Sequence, residues 1–123
     1  MCVLIVEDEV LVAFYVQGVL NEMGHDEVHL LHDLSSAYEW LTRYAPTFAI
    51  LDVNVGQELV YPLAAALVAR QVPVIFSSAL SVDKFPPEWR NHPLVPKPLD
   101  KATLAGVLQS FGLHKEETRP SPN

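Results

Sequence analysis

The chain has 123 residues, half of them hydrophobic and 19% charged, with a formal net charge of -7. This length and composition fit one globular domain and exclude a disordered chain. The acidic balance excludes a nucleic-acid-binding surface, because phosphate backbones require clusters of Lys and Arg and the eight basic residues form none.

The apolar start of the chain predicts a buried strand rather than a targeting segment. Residues 7–9, Glu-Asp-Glu, interrupt it too early for a signal peptide, and no window reaches the roughly 18 uncharged apolar residues of a membrane span. Cys2 is the only cysteine, so an internal disulfide is excluded and a reducing, cytoplasmic location is expected. We interpret Cys2 itself as a small hydrophobic residue of the first strand.

Short apolar runs alternate with longer helical patterns along the chain. The expected strands are residues 2–6, 27–31, 47–51, 72–77 and 94–95. The expected helices are residues 9–23, a segment capped by Ser35 or Ser36 and closed by Pro46, then 59–70 and 99–111. Residues 1–113 are therefore interpreted as one α/β domain, and residues 114–123 as a disordered tail.

Strands that alternate with helices predict a parallel sheet covered on both faces, with its ligand site at the carboxyl ends of the strands. The residues at those ends are Glu7, Asp8, Asp52, Ser78 and Lys97. Three carboxylates in one crevice repel each other by about 4 kcal/mol per pair at 4 Å, so a cation is needed to hold them together. An all-oxygen set favours Mg²⁺. A carboxylate beside such an ion can attack phosphorus and form an aspartyl phosphate, for which Asp52 is the best nucleophile.

Four segments together resemble one known family. They are residues 3–9 (VLIVEDE), 49–54 (AILDVN), 73–78 (PVIFSS) and 96–98 (PKP). In order and spacing they resemble the receiver domain of bacterial two-component response regulators. The resemblance covers nearly the whole chain. It implies a flavodoxin-like (CheY-like), doubly wound, five-stranded parallel sheet of order 2-1-3-4-5.

The same resemblance implies a role for each residue of the crevice. Asp52 is the phosphoacceptor, Ser78 is the hydroxyl that follows the phosphoryl group, and Lys97 is the cation that contacts it. The Lys97-Pro98 bond is expected to be cis. The implied ligands of Mg²⁺ are Glu7, Asp8, Asp52 and the backbone carbonyl of Asn54. Such a domain catalyses its own aspartyl phosphorylation and dephosphorylation, without being a conventional enzyme.

The chain departs from the family at three places. Leu94 stands where many receivers carry a Tyr or Phe that rotates inward on phosphorylation. Pro86 and Pro87 shorten or remove the fourth helix, because proline inside a helix costs about 3 kcal/mol. A reduced fourth helix resembles that of a divergent subgroup of receiver domains, the FAT GUY type, although residues 77–80 (SSAL) differ from the Ala-Thr-Gly-Tyr signature of that subgroup. Leu80 cannot orient an attacking water, so we expect slow phosphate loss unless Asn54 orients one.

The first helix is apolar around most of its circumference, so some of its apolar surface is expected to meet a partner. The candidate docking residues are Val10, Phe14 and Tyr15. The resemblance implies a sensor histidine kinase or a histidine phosphotransfer protein as phosphodonor. Output would pass through an undetermined downstream protein, or the domain would act as a phosphate sink. A homodimer is left open.

Three other interpretations compete with this one. The first is a phosphorylation-independent receiver that acts as an interaction module, which Leu94 favours. The second is a flavin-binding domain of the same topology, which residues 7–9 disfavour because a phosphate cradle needs free N–H groups rather than carboxylates. The third is a metal site of His25, His29 and His32, which we reject because their spacing is helical while the segment is predicted to be strand and loop.

Overall fold

The chain folds as a five-stranded parallel sheet covered by helices on both faces. The computed structural model describes residues 2–110 and 112, so the predicted tail at 114–123 lies outside the described residues. The strands are β1 (Val3–Val6), β2 (Val28–Leu31), β3 (Phe48–Asp52), β4 (Asn54–Val55), β5 (Glu58–Leu59), β6 (Val74–Ser78) and β7 (Leu94–Pro96). The helices are α1 (Val10–Glu22), α2 (Leu34–Leu41), α3 (Tyr61–Ala69) and α4 (Lys101–Ser110).

The strand order of the main sheet is β2-β1-β3-β6-β7, with every pair parallel. β4 and β5 form a separate antiparallel hairpin, so the main order is the predicted 2-1-3-4-5 and the predicted fold class is confirmed. Among the described residues, no helix is long and apolar enough to cross a membrane.

Both faces of the central strands are buried, which explains their continuous apolar sequences. Leu4 and Leu51 pack against α2 and α3 in one core cluster, whereas Ile5 and Ile50 pack against α1 and α4 in another. The alternation follows from the two-residue period of a strand. The rigid centre of the sheet therefore fixes the positions at which β1 and β3 end.

Two local predictions for the helices have different outcomes. The N-cap of α2 is Asp33, whose side chain accepts a hydrogen bond from the Ser36 backbone N–H at 2.7 Å. The prediction of Ser35 or Ser36 as the cap is wrong, because the aspartate reaches the third N–H of the turn and the helix begins at Leu34. Pro62 lies in the first turn of α3 as predicted, where its missing N–H costs no hydrogen bond.

Between β6 and β7 the chain forms two 3₁₀ turns, Val82–Lys84 and Pro87–Trp89, and no α-helix. Aromatic side chains of this connection pack against β6, where a regular helix would otherwise pack. The resulting aromatic cluster consists of Tyr61, Phe76, Phe85, Trp89 and His92, with ring centroids 5.0 to 6.2 Å apart. Phe76 and Phe85 are buried, so this connection is held to the sheet by side-chain packing.

Candidate functional site

The carboxyl ends of three parallel strands bring the predicted acidic and basic residues together. Glu7 follows β1, Asp52 ends β3 and Lys97 follows β7. Carboxylate oxygens of Glu7, Asp8 and Asp52 all lie within 4.8 Å of one another. The three carboxylates therefore form one acidic crevice, although Asp52 lies 44 positions after Asp8 along the chain.

Lys97 crosses this crevice and contacts two of the carboxylates. Its Nζ lies 2.9 Å from Glu7 Oε1 and 3.2 Å from Asp52 Oδ2. Its backbone N–H donates to the Ser78 carbonyl at 3.0 Å, and the Lys97-Pro98 peptide bond is cis, as the sequence resemblance implied. The lysine is therefore anchored to the end of β6 while its ammonium group lies between the acids.

Burial and charge act in opposite directions on these groups. Burial raises the pKa of Glu7, and the nearby negative charge of Asp52 adds to the increase, while the hydrogen bond from Lys97 lowers it. Burial lowers the pKa of Lys97, but the hydrogen bond to Glu7 and the charges of Asp52 and Glu7 raise it by more in total. The lysine is therefore held in its charged form by the acids around it.

Asp8 is the exposed member of the crevice, and a hairpin that the sequence analysis missed positions it. Its Oδ2 accepts a hydrogen bond from the Gly56 backbone N–H at 3.0 Å. Gly56 and Gln57 both have positive φ, 57° and 69°, in the two-residue turn between β4 and β5. Such a turn favours glycine, and Gly56 was the only sequence signal that could have indicated it.

His32 also contacts the crevice and was not predicted to do so. Its Nδ1 lies 3.0 Å from the Glu7 backbone carbonyl oxygen. This contact holds the chain at the point where β1 ends and Glu7 turns inward. A histidine at the end of β2 gives no sequence signal for such a role, because the pairing depends on the strand register.

The remaining predicted residues lie around the rim of the crevice. Ser78 is buried, and its Oγ accepts a hydrogen bond from the Leu80 backbone N–H at 3.0 Å. Leu80 and Asn54 are exposed. Leu94 is half-buried, pairs with Phe76 and packs against the core on the α2–α3 side of the sheet. Leu94 therefore belongs to the packing around the aromatic cluster.

The predicted docking residues of α1 are all exposed. The exposed fractions are 46% for Val10, 54% for Phe14 and 50% for Tyr15. Leu11, which the sequence analysis did not single out, is the most exposed of the group at 82%. A groove of about 360 Å³ runs from this helix to the crevice, lined by Leu11, Val12, Tyr15, Lys97, Pro98 and Leu99. An apolar surface of this helix therefore adjoins the lysine.

The donor set fits a small oxygen-binding cation. An octahedral Mg²⁺ with bonds of about 2.1 Å places neighbouring ligand oxygens about 3.0 Å apart and opposite ones about 4.2 Å apart. One carboxylate oxygen each from Glu7, Asp8 and Asp52 lies within 4.8 Å of the other two, close to the spacing that such an ion requires. No sulfur or imidazole donor belongs to this group, which favours Mg²⁺ over Zn²⁺.

Comparison with known proteins gives matches among solved structures. No protein-family model matches the chain, and no curated protein matches it. The solution structure of SdrG from Sphingomonas melonis Fr1 has 31% sequence identity and a TM-score of 0.79, over 90% of this chain and 95% of that chain. The PhyR stress response regulator has 27% identity and a TM-score of 0.75, over 92% of this chain and 45% of that chain.

A response regulator receiver domain (CheY-like) from Methylobacillus flagellatus has a TM-score of 0.78 at 21% identity, over 90% of this chain and 98% of that chain. At that identity the match supports the fold alone. The identity to SdrG, over nearly the full length of both chains, is high enough to assign the family as well. The four sequence segments and the acidic crevice agree with that assignment. This chain belongs to the response regulator receiver family.

Proposed function

We propose that Asp52 accepts a phosphoryl group in a Mg²⁺-dependent reaction, and that Glu7, Asp8, Asp52 and the carbonyl of Asn54 hold the ion. The observation that carries this proposal is the convergence of three carboxylates and the Lys97 ammonium at the strand ends. A purely structural ion pair would need one acid beside the lysine. The second and third acids create a charge excess that a divalent cation balances.

In the proposed reaction a carboxylate oxygen of Asp52 attacks the phosphorus atom of a phosphohistidine. The bond between phosphorus and the histidine nitrogen breaks, and the imidazole keeps the electron pair and takes up a proton. Lys97 moves from the Asp52 carboxylate to an equatorial phosphoryl oxygen, and the Ser78 hydroxyl donates to another. A bound Mg²⁺ would neutralise charge on the third oxygen.

The phosphodonor is a sensor histidine kinase or a histidine phosphotransfer protein. Output passes through contacts with a downstream protein, or the chain draws phosphate away from another regulator. A homodimer is a further possible assembly. The two 3₁₀ turns between β6 and β7 support membership of the FAT GUY-type subgroup. The division into a domain at 1–113 and a tail at 114–123, and the cytoplasmic location, stay predictions.

The test of this proposal is phosphorylation by acetyl phosphate, followed by intact mass. In the presence of Mg²⁺ the wild-type chain is expected to gain one phosphoryl group. Removing Mg²⁺ with a chelator is expected to abolish the gain, because Lys97 alone then faces three carboxylates and the incoming phosphoryl group meets their excess negative charge. Asp52→Asn is expected to show no gain under either condition.

The matched control is Asp33→Asn, which changes an exposed carboxylate that caps α2 and leaves the crevice intact. It is expected to be phosphorylated as the wild type is. A mass gain that persists in Asp52→Asn would assign the phosphoryl group to another residue. No gain from acetyl phosphate or from any histidine kinase would favour the phosphorylation-independent alternative, in which Leu94, packed beside Phe76, has no switching role.

The lifetime of the phosphorylated form provides a separate prediction. Leu80 is exposed and its backbone N–H donates to Ser78 Oγ, but its side chain is aliphatic and offers no group that orients an attacking water. We expect a half-life of many minutes, measured by intact mass after removal of acetyl phosphate, and a shorter half-life in Leu80→Gln. A wild-type half-life of seconds would contradict this and would indicate that Asn54 orients the water.

The apolar surface of α1 predicts where the phosphodonor protein docks. Phe14→Ala and Tyr15→Ala are each expected to slow transfer from the cognate kinase about tenfold, because burying a half-exposed aromatic side chain contributes about 1.4 kcal/mol or more at an interface. Phosphorylation by acetyl phosphate is expected to be unchanged. Tyr38→Ala, at a 41% exposed aromatic residue on α2, is the control. Unchanged kinase transfer in both α1 variants would remove α1 as the docking surface.

A further inference from the structure

A second group of ligand-type side chains lies at the opposite edge of the sheet, where β1 and β2 begin. Cys2 precedes β1, Glu27 precedes β2, and His29 lies on β2. One ligand atom from each, sulfur, carboxylate oxygen and ring nitrogen, lies within 4.8 Å of the other two. From this geometry we infer that Cys2, Glu27 and His29 form a binding site for a divalent transition-metal ion of the Zn²⁺ type.

The donor types and their spacing match this class of ion. Zn²⁺ binds thiolate sulfur at about 2.3 Å and imidazole nitrogen or carboxylate oxygen at about 2.0–2.2 Å, so its tetrahedral ligands lie about 3.3–3.7 Å apart. His29 Nε2 and Glu27 Oε2 are already 3.1 Å apart. The two negative charges of a Cys2 thiolate and a Glu27 carboxylate balance the ion, and coordination releases the thiol proton to solvent.

The strand pairing orders the three donors before any metal binds. The register pairs Val3 with Val28, which sets Cys2 beside Glu27. The Val3 N–H donates to the Glu27 carbonyl at 2.9 Å. The backbone of Cys2 is held on its other side by Thr47, through a hydrogen bond from the Cys2 N–H to Thr47 Oγ1 at 3.2 Å and one from the Thr47 N–H to the Cys2 carbonyl at 2.7 Å.

Aromatic rings fix the histidine as well. The His29 ring packs against Trp40 at a centroid distance of 5.1 Å and is stacked on Tyr44 at 6.2 Å. This packing restricts the rotation of the imidazole, so less side-chain entropy is lost when it coordinates. With three protein ligands, the fourth position of a tetrahedral ion is open to water. The site thus differs from the acidic crevice in location, donor type and preferred metal.

Cobalt titration of the full chain tests this inference, because a thiolate-bound, four-coordinate Co²⁺ absorbs strongly in the near ultraviolet and the visible. The titration is made in excess Mg²⁺, which competes for the acidic crevice. Wild type is expected to develop thiolate charge-transfer absorption that one equivalent of Zn²⁺ removes. Cys2→Ser is expected to lose it, and His29→Gln and Glu27→Gln to weaken apparent Co²⁺ affinity at least tenfold. Glu88→Gln, at an exposed glutamate elsewhere, is the control.

A second readout uses the fact that Cys2 is the only cysteine. One equivalent of Zn²⁺ is expected to slow alkylation of Cys2 at least tenfold in wild type and in Glu88→Gln, and to have little effect in His29→Gln. Glu27→Gln is expected to fold, since its side chain is 62% exposed. The inference is overturned if wild type shows neither cobalt absorption nor Zn²⁺ protection, or if His29→Gln and Glu27→Gln show both at wild-type strength.

Discussion

Lys97→Met is expected to lower the free energy of unfolding by about 2–3 kcal/mol in Mg²⁺-free buffer, because it removes the cation from a buried carboxylate. Glu7 is only 3% exposed. Without Lys97, the hydrogen bond that remains to its carboxylate among the described residues comes from the backbone N–H of Glu9, at 3.1 Å from Oε2. Asp52 then repels Glu7 with no cation between the two carboxylates. This loss in the free energy of unfolding is smaller than for a fully buried ion pair, because the Lys97 side chain is 20% exposed. Urea denaturation followed by circular dichroism measures the change.

A double variant separates the ion pair from the packing of the lysine stem. In the Lys97→Met background, Glu7→Gln removes the unpaired charge and is expected to recover more than half of the lost stability. The control is Lys101→Met, which removes an exposed lysine paired with Glu22 and is expected to cost under about 0.5 kcal/mol. A similarly small loss for Lys97→Met would show that solvent screens the crevice.

The same variant tests the role proposed for the lysine in phosphorylation. The rate of phosphorylation by acetyl phosphate is expected to fall at least tenfold in Lys97→Met, since a phosphoryl oxygen loses its counter-charge. Circular dichroism at the assay temperature confirms that the variant is folded. An unchanged rate would show that Lys97 has a structural role only, through Glu7.

Phe76→Ala is expected to lower the free energy of unfolding by about 3–5 kcal/mol, the range for removing a buried phenylalanine. The Phe76 side chain is fully buried at the centre of the aromatic cluster. Its ring contacts those of Tyr61 and Phe85 at centroid distances of 5.9 and 5.4 Å, and that of Trp89 at 5.7 Å. Because two 3₁₀ turns rather than an α-helix connect β6 to β7, the cavity would open beneath these turns.

Phe76→Leu keeps most of the volume and is expected to cost no more than about 1.5 kcal/mol. Phe14→Ala, at a 54% exposed phenylalanine, is the surface control and is expected to cost under about 0.5 kcal/mol. Urea denaturation followed by circular dichroism measures all three. Equal losses in Phe76→Ala and Phe14→Ala would show that the cluster does not hold the connection between β6 and β7.

The sequence by itself determined the parallel α/β fold and the residues at its strand ends. β1 and β3 are buried on both faces, and a strand so buried must be apolar throughout, which makes it visible as a run of hydrophobic residues. Parallel strands end at one edge, so Glu7, Asp52 and Lys97 could be placed in one crevice from sequence order alone. Pro86 and Pro87 likewise indicated that a regular helix could not form between β6 and β7.

The tertiary structure alone decided which of these groups touch. Three of these contacts leave no periodic pattern in the sequence. They are the pairing of Lys97 with Glu7 and Asp52, the hydrogen bond from Gly56 to Asp8, and the grouping of Cys2 with Glu27 and His29. Hydrophobic periodicity reports which face of an element is buried. Contacts between side chains far apart in sequence depend instead on strand register and on the path of each loop, and those are set only when the whole sheet has packed.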